Sequence, residues 1–179
     1  MEKFLEFLER KYCDYEIKDG TLIVQSGLVI TESVCIPEHT YFSQGLSLWG
    51  YVGIQLPENL KVDCILDLLG SDIKRLPSNL TLGNYCCVHL HASKFKNVTY
   101  SKNCGFHKLT IFAFWANNDF LIADQCFTGT YSEFEEQVND TYYSYKADGA
   151  EYKRKARGCI RRLAQKLGKP DPFKKATAN

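Results

Sequence analysis

A short motif recurs along this chain at an interval of twenty residues. Leu56-Pro57-Glu58-Asn59-Leu60 is followed twenty residues later by Leu76-Pro77-Ser78-Asn79-Leu80, and Ile36-Pro37-Glu38 is a weaker copy upstream. A fixed period of this length is typical of stacked structural units, because each unit buries its apolar side only against its neighbours. The repeat therefore predicts a solenoid in the middle of the chain.

Each repeat contains a short apolar stretch with a period of two, which predicts a strand. The aligned stretches are Leu28–Ile30, Leu46–Leu48, Leu66–Leu68, Val88–Leu90 and Leu109–Ile111. A glycine bend follows the strand, at Gly50 or Gly70. A Leu-Pro corner comes next, and proline suits a turn because its φ is fixed and it has no N–H to pair. We expect one parallel strand per coil, with alternate leucines pointing inward.

The repeat also resembles known sequences. The segment that carries the resemblance is LPENLKVDCILDLLGSDIKRLPSNL. It resembles the Leu-Pro-punctuated leucine-rich repeats of bacterial effector proteins and, more closely, the short repeat modules of uncharacterised tailed-phage proteins. The resemblance covers about residues 28–111, but the asparagine that follows the strand in effectors is replaced here by Tyr51, Ser71 and Ser93. It implies a leucine-rich-like solenoid and, for a phage protein, the host cytoplasm as its setting.

The segments on either side of the repeat are predicted to cap it. Residues 1–27 contain an amphipathic helix and a strand, and residues 112–169 contain a β-hairpin and two helices, the second from about Gly149. Residues 170–179 are predicted to be a loose tail. The expected fold class is α+β, a short parallel-strand leucine-rich-like solenoid at residues 28–111 with an N-terminal helix cap and a C-terminal β-hairpin plus two helices.

Composition narrows the class of protein. The chain is 45% hydrophobic and 24% charged, which is typical of a folded domain. No window approaches the ~18 apolar residues of a membrane span, and the first residues are too acidic for a signal peptide, so we expect a cytoplasmic protein. The eight cysteines include no Cys-X-X-Cys pair, and we expect reduced, buried thiols.

Charge is distributed unevenly along the chain. Residues 146–179 contain eleven Lys and Arg against three Asp and Glu, whereas residues 1–145 contain eleven against eighteen. The basic helix is either a nucleic-acid contact or a solvated face packed near acidic helices. The residues of the nucleic-acid alternative are Lys153, Arg154, Arg157, Arg161 and Arg162. A net charge of only +1, and no aromatic residues between the basic ones, favour the second interpretation.

The side chains that point away from the coils form two columns. The first contains Ser47, Asp67, His89 and Thr110, and the second contains Trp49, Leu69, His91 and Phe112. The second column is too apolar to face water, so either the C-terminal helices or a binding partner must cover it. The predicted partner-binding surface consists of Ser47, Trp49, Asp67, Leu69, His89, His91 and Phe112.

Few side chains in the sequence suggest a catalytic or metal-binding site. Cys87, His89 and His91 share a predicted strand face, and Cys104 and His107 lie on the next predicted coil. A zinc site is one interpretation, although ligands two residues apart on a strand splay apart. A nucleophile pair of Cys104 or Cys87 with a histidine lacks an orienting third group, and the chain has no phosphate-binding glycine loop.

These observations predict a protein that is not an enzyme and that needs no metal or cofactor. We expect a non-catalytic protein-binding module. The phage resemblance implies an early protein that inhibits or redirects a host factor, for example a defence component. The alternative function is nucleic-acid binding through the basic helix.

Overall fold

The computed structural model describes residues 1–174, so residues 175–179 of the predicted tail lie outside the described residues. The fold belongs to the mixed α+β class, as predicted. The chain divides into two compact units. The first comprises Met1–Lys96 and Trp115–Asn118, and the second comprises Asn97–Phe114 and the chain from Asp119 on.

The first unit contains a stack of parallel coils, which the twenty-residue period predicts. It begins with helix α1 (Glu2–Arg10), whose Phe4, Phe7 and Leu8 are buried. Its strands are β1 (Tyr15–Lys18), β2 (Thr21–Val24), β3 (Leu28–Val29), β4 (Thr40–Phe42), β5 (Leu46–Ser47), β6 (Lys61–Val62), β7 (Ile65–Asp67), β8 (Thr81–Leu82) and β9 (Cys87–His89). A 3₁₀ turn at Ala92–Lys94 follows them.

These strands form two sheets, and each coil contributes one strand to each sheet. The first sheet has the order β1-β2-β4-β6-β8, in which only the β1–β2 pair is antiparallel. The second sheet has the order β3-β5-β7-β9 and is parallel throughout. The prediction of one strand per coil was therefore wrong. The missed strands β4, β6 and β8 are only two or three residues long, too short for their alternation to stand out from a turn.

The register of the second sheet reproduces the period of the sequence. Leu28 pairs with Leu46, Leu46 with Leu66, and Leu66 with Val88, at spacings of eighteen, twenty and twenty-two residues. All four side chains are at most 4% exposed. Burying a leucine in this way stabilises the fold by about 1.5–3 kcal/mol, so the repeated leucines are the main source of the solenoid's stability.

The corners of the coils are stacked as well. The Asn59 backbone N–H donates to Asn79 Oδ1 over 2.7 Å, and the Ser78 hydroxyl donates to Glu58 over 3.0 Å. Both bonds join residues twenty positions apart. A Leu-Pro corner therefore carries its polar contacts to the same position of the next coil, which explains why the motif is repeated with so little variation.

The glycine bends also depend on stacking. Gly50 and Gly70 both have positive φ, at 69° and 73°, a region that favours glycine. A Cβ atom at Gly70 would lie 3.1 Å from the backbone of Gly50. Adjacent coils therefore approach more closely here than a side chain would allow.

The second unit is an antiparallel sheet covered on one face by helices. Its strands are β10 (Thr99–Cys104), β11 (Leu109–Ala116), β12 (Asp119–Ala123) and β13 (Thr128–Thr130), in that order across the sheet. Its helices are α2 (Tyr131–Thr141) and α3 (Lys146–Leu167), which pack on β10, β12 and β13. The apolar side chains that α3 buries include Tyr152, Ala156, Ile160 and Leu163.

Local sequence explains the ends of the two helices. The Thr130 hydroxyl accepts the N–H of Glu133, and the Glu133 carboxylate accepts the N–H of Thr130, which is a complete capping box at the start of α2. Helix α3 ends at Gly168, whose φ of 65° suits a glycine. Helix α3 begins at Lys146, three residues before the predicted start at Gly149.

The predicted last coil was wrong. The stretch Leu109–Ile111 belongs to β11, which pairs with β10 in an antiparallel sense, with Ile111 opposite Ser101. The chain reverses between β10 and β11 instead of continuing around another coil. The stacked strands therefore end at β9, and the solenoid does not extend to residue 111.

Part of the predicted loose tail makes ordered contacts. The ring of Phe173 meets the ring of Tyr131 edge-on, with centroids 4.9 Å apart. Asp171 forms an ion pair with Arg161 over 3.3 Å. Residues 171–173 therefore belong to the second unit.

Candidate functional site

The first outward column lies on three consecutive strands of the parallel sheet. Ser47 is in register with Asp67, and Asp67 is in register with His89. The Ser47 hydroxyl donates to Asp67 Oδ2 over 3.4 Å, and Asp67 Oδ1 accepts the backbone N–H of Leu69 over 3.0 Å. All three side chains are half-buried. This column is a row of polar groups that are already partly satisfied by one another.

The second outward column follows the same stacking. The backbone N–H groups of Leu48 and Gly50 donate to Asp67 O and Leu69 O, each over 2.8 Å, which sets Trp49 beside Leu69. Trp49 is 67% exposed, Leu69 is half-buried and His91 is exposed. The part of the chain that the structure describes therefore leaves the indole ring of Trp49 open to solvent.

Phe112 does not belong to this column, and its inclusion in the predicted surface was wrong. It lies in β11 of the second unit, opposite Tyr100, and is only 5% exposed. The error follows from the wrong last coil, because Phe112 was aligned with Trp49, Leu69 and His91 by extending the repeat. Phe112 lies in a strand that is buried on both faces, so it contributes to the core and is not available to a partner.

Sequence reasoning also missed exposed apolar residues near the same columns. Val29 is in register with Ser47 and is 57% exposed, and Val52, three residues beyond Trp49, is 63% exposed. The alternation of Leu28, Val29 and Ile30 already indicated that Val29 points outward. We define the Trp49 surface as the set Val29, Ser47, Trp49, Val52, Asp67, Leu69, His89 and His91.

Burial disfavours the nucleophilic form of two of the cysteines, Cys86 and Cys104. Cys87 lies in the first unit, whereas Cys104 lies in the second, where it is buried and its thiol donates to Ser101 O over 3.3 Å. Burial raises the pKa of the Cys104 thiol, and it raises the pKa of Cys86 to about 12. Both thiols are therefore held in the less nucleophilic protonated form.

The residues proposed as zinc ligands belong to two different units. Cys87, His89 and His91 are in the first unit, and Cys104 and His107 are in the second. Within residues 1–174, no three His, Cys, Asp or Glu side chains are arranged so that they could hold a metal ion. The geometry therefore supplies no argument for a metal centre among these five residues.

Helix α3 uses three of its basic side chains to complete strand β10. Lys166 Nζ donates to Val98 O over 3.3 Å, Arg162 donates to Tyr100 O over 3.0 Å, and Lys155 Nζ donates to Lys102 O over 3.4 Å. Strand β10 lies at the edge of its sheet and has only β11 as a neighbour. The three carbonyls belong to alternate residues along this open edge. The basic stripe therefore covers a strand edge that is otherwise unpaired.

The remaining basic residues of the nucleic-acid alternative are mostly occupied too. Arg157 pairs with Glu135 over 2.9 Å, and Arg161 pairs with Asp171. Lys153 Nζ donates to Asn139 Oδ1 over 2.7 Å. Arg154 differs from them, because its side chain is 75% exposed and its contact with Glu151 is a distant 3.9 Å. These contacts favour the interpretation that the basic helix serves the fold, and the Arg157–Glu135 pair joins it to the acidic helix α2.

Comparisons with known proteins do not identify the chain. No family model, no curated protein and no solved structure matches it significantly. Among residues 1–174, no helix combines the length and the apolar character that a membrane crossing requires.

Proposed function

We propose that this chain is a non-catalytic protein-binding module and that the Trp49 surface is its binding site. The observation that carries the proposal is the exposure of Trp49, which is 67% open on a coil whose backbone is hydrogen-bonded to the next coil. Tryptophan is the residue most enriched at the energetic centres of protein interfaces. A large apolar ring held on a rigid support loses little conformational entropy when a partner binds it.

The chemistry of the surface defines the partner that it fits. The indole ring of Trp49 fits an apolar pocket on the partner, and the exposed Val29 extends the apolar area of the surface. Asp67 and the histidines form a polar border, of the kind that surrounds the core of an interface. A complementary protein would place a cavity over the indole ring and a basic or hydrogen-bonding group opposite Asp67.

The identity of the partner is a further part of the proposal. The leucine-rich-like repeat resembles modules of tailed-phage and effector proteins, whose setting is the host cytoplasm. On that resemblance we propose that the partner is a host protein, such as a defence factor, which this chain inhibits or redirects.

The proposal is tested by affinity purification from host lysate with four baits. Wild type and Ile17→Ala, which alters an exposed residue of β1 outside the Trp49 surface, should capture the same partner. Trp49→Ala and Asp67→Arg should lose it. Circular dichroism and thermal unfolding should first show that both variants are folded. Capture of every partner by folded Trp49→Ala would exclude this surface.

A further inference from the structure

A second exposed surface lies at the end of the antiparallel unit, where two turns meet. The turn between β10 and β11 contains Gly105 and Phe106, and the turn between α2 and α3 contains Tyr142 and Tyr145. The Phe106 backbone N–H donates to the hydroxyl of Tyr142 over 3.0 Å. A Cβ atom at Gly105 would lie 2.2 Å from that hydroxyl, so the close approach of the two turns requires a glycine. The hydrogen bond holds the two turns in one arrangement.

Aromatic rings from both turns come together at this place. The Phe106 and Tyr145 centroids are 5.3 Å apart with an angle of 32° between the rings, and His107 meets Phe106 edge-on at 5.3 Å. Phe106 is 58% exposed and Tyr145 is 54% exposed. We call Phe106, His107 and Tyr145 the aromatic platform. Its three rings contact one another and are all exposed to solvent.

Positive charge flanks the platform. Lys108 follows it in the first turn, and Lys146 follows it in the second. Lys146 Nζ lies 6.0 Å from the ring centre of Tyr143, which is 78% exposed. Neither Lys108 nor Lys146, which is the first residue of α3, forms an ion pair with another described residue, whereas the basic residues farther along α3 are mostly occupied. These two ammonium groups are therefore available to an external anion.

A groove lies between helices α2 and α3, close to the second turn. It has a volume of about 250 Å³ and is lined by Tyr143, Lys146 and Lys153 among others. The Lys153 ammonium is held beside Asn139 over 2.7 Å. The groove therefore adds the Lys153 ammonium to the positive charge of Lys146 beside Tyr143.

We propose that the aromatic platform with Lys108 and Lys146 binds single-stranded nucleic acid. Open aromatic rings beside cations suit a ligand that has both flat unpaired bases and phosphates, since bases stack on the rings and phosphates pair with the lysines. A duplex is disfavoured because its bases are already stacked on one another. Its phosphates would need the basic stripe of α3, which is engaged with β10. The site is independent of the Trp49 surface and does not rest on the proposed function.

The proposal is tested by fluorescence anisotropy with labelled oligonucleotides of about twelve nucleotides, a length within the range that single-strand-binding domains cover. Oligo(dT) and oligo(rU) are the two single-stranded probes, and a duplex of the same length is the competitor. We expect the single strands to bind more tightly than the duplex. Phe106→Ala and Tyr145→Ala should each weaken binding about five-fold or more, as the loss of one base stack does.

Charge variants separate this site from the basic helix. Lys146→Glu should weaken binding and lower the slope of log affinity against log salt by about one. Arg154→Glu, which reverses an exposed charge on α3, and Tyr85→Ala, which removes an exposed aromatic ring from the other unit, are the controls and should change binding less than two-fold, within about 0.4 kcal/mol. Thermal unfolding should show that every variant is folded.

Three results would overturn the proposal. They are equal affinity for single strands and duplex, unchanged affinity in folded Phe106→Ala, and an effect of Arg154→Glu as large as that of Lys146→Glu. If no probe binds but a protein partner is captured by wild type and lost by Phe106→Ala, the platform is a protein interface and the nucleic-acid proposal is wrong.

Discussion

The two units of this protein satisfy their backbone hydrogen-bonding groups in different ways. In the first unit, each coil pairs with a copy of itself, so Leu66 has its counterparts Leu46 and Val88 at the same place in the adjacent coils. In the second unit, the open edge of β10 is completed by side chains more than sixty residues further along, from Arg162 and Lys166. In a repeat, the environment of a residue can therefore be predicted from the equivalent residues of the neighbouring repeats. A non-local contact leaves no such signal.

The largest expected effect tests the end of the repeat. The repeat aligns Leu66 with Leu109 as equivalent inward leucines, yet Leu66 is fully buried and Leu109 is only half-buried in β11. Leu66→Ala should lower the free energy of unfolding by about 2–5 kcal/mol, because it leaves a cavity between three coils. Leu109→Ala should cost clearly less. Denaturant titration of the two variants measures the difference, and equal losses would restore Leu109 to the solenoid.

The sequence predicted the structure best in the region where its motif is repeated. The inward leucines, the glycine bends and the outward direction of Trp49 all followed from the twenty-residue period. The same period led to a wrong result at Phe112, because it was extended one coil too far. What the period could not show was the reversal between β10 and β11, since an antiparallel strand of alternating apolar residues looks the same as a coil strand.

The charges show a second limit of sequence reasoning. A run of basic residues on a helix has the same appearance whether it faces phosphates or backbone carbonyls. Arg162 and Lys166 were expected near acidic helices, and they bind the carbonyls of Tyr100 and Val98. The aromatic platform was missed for a related reason, because Phe106 and Tyr145 are far apart in sequence and only the fold brings them together.

An intermediate effect tests whether α3 protects the strand edge. Arg162→Met keeps much of the apolar side chain and removes the bonds to Tyr100 O and Ser101 Oγ. A hydrogen bond from a charged group contributes about 1.5–3 kcal/mol, and solvent exposure reduces this, so we expect a loss of about 1 kcal/mol. Amide hydrogen exchange in β10 should accelerate as well.

The matched control for this prediction is Arg154→Met, on the same helix. Arg154 has only the distant contact with Glu151, so its replacement should change the free energy of unfolding by less than about 0.5 kcal/mol. If Arg154→Met destabilised the protein as much as Arg162→Met, the general charge of the helix would be responsible and the specific bonds to β10 would not.

The smallest effect compares two tyrosine–aspartate pairs, one in each unit. The Tyr41 hydroxyl donates to Asp63 over 2.5 Å at the surface of the solenoid, and Tyr152 donates to Asp124 in the interior of the second unit. The hydrogen bond to Asp63, with a smaller contribution from burial, raises the pKa of Tyr41 to about 12. Burial and the Asp124 carboxylate raise the pKa of Tyr152 as well.

A raised tyrosine pKa makes stability depend on alkaline pH. Between the ordinary value of 10.0 and about 12, the unfolded chain loses the Tyr41 proton while the folded chain keeps it, so stability is complete below pH 10 and falls as the pH rises through this window. Tyr41→Phe should make the fall shallower by a few tenths of a kcal/mol, because the side chain is only half-buried and solvent screening reduces the effect. Asp63→Asn should change the slope in the same direction, since it removes the charge that holds the proton.

Urea unfolding at pH 9 and pH 11 measures the slopes of stability against pH. The Tyr152 pair remains in both variants, so a residual alkaline loss is expected, and identical slopes in all three proteins would show that the surface pair has no part in it.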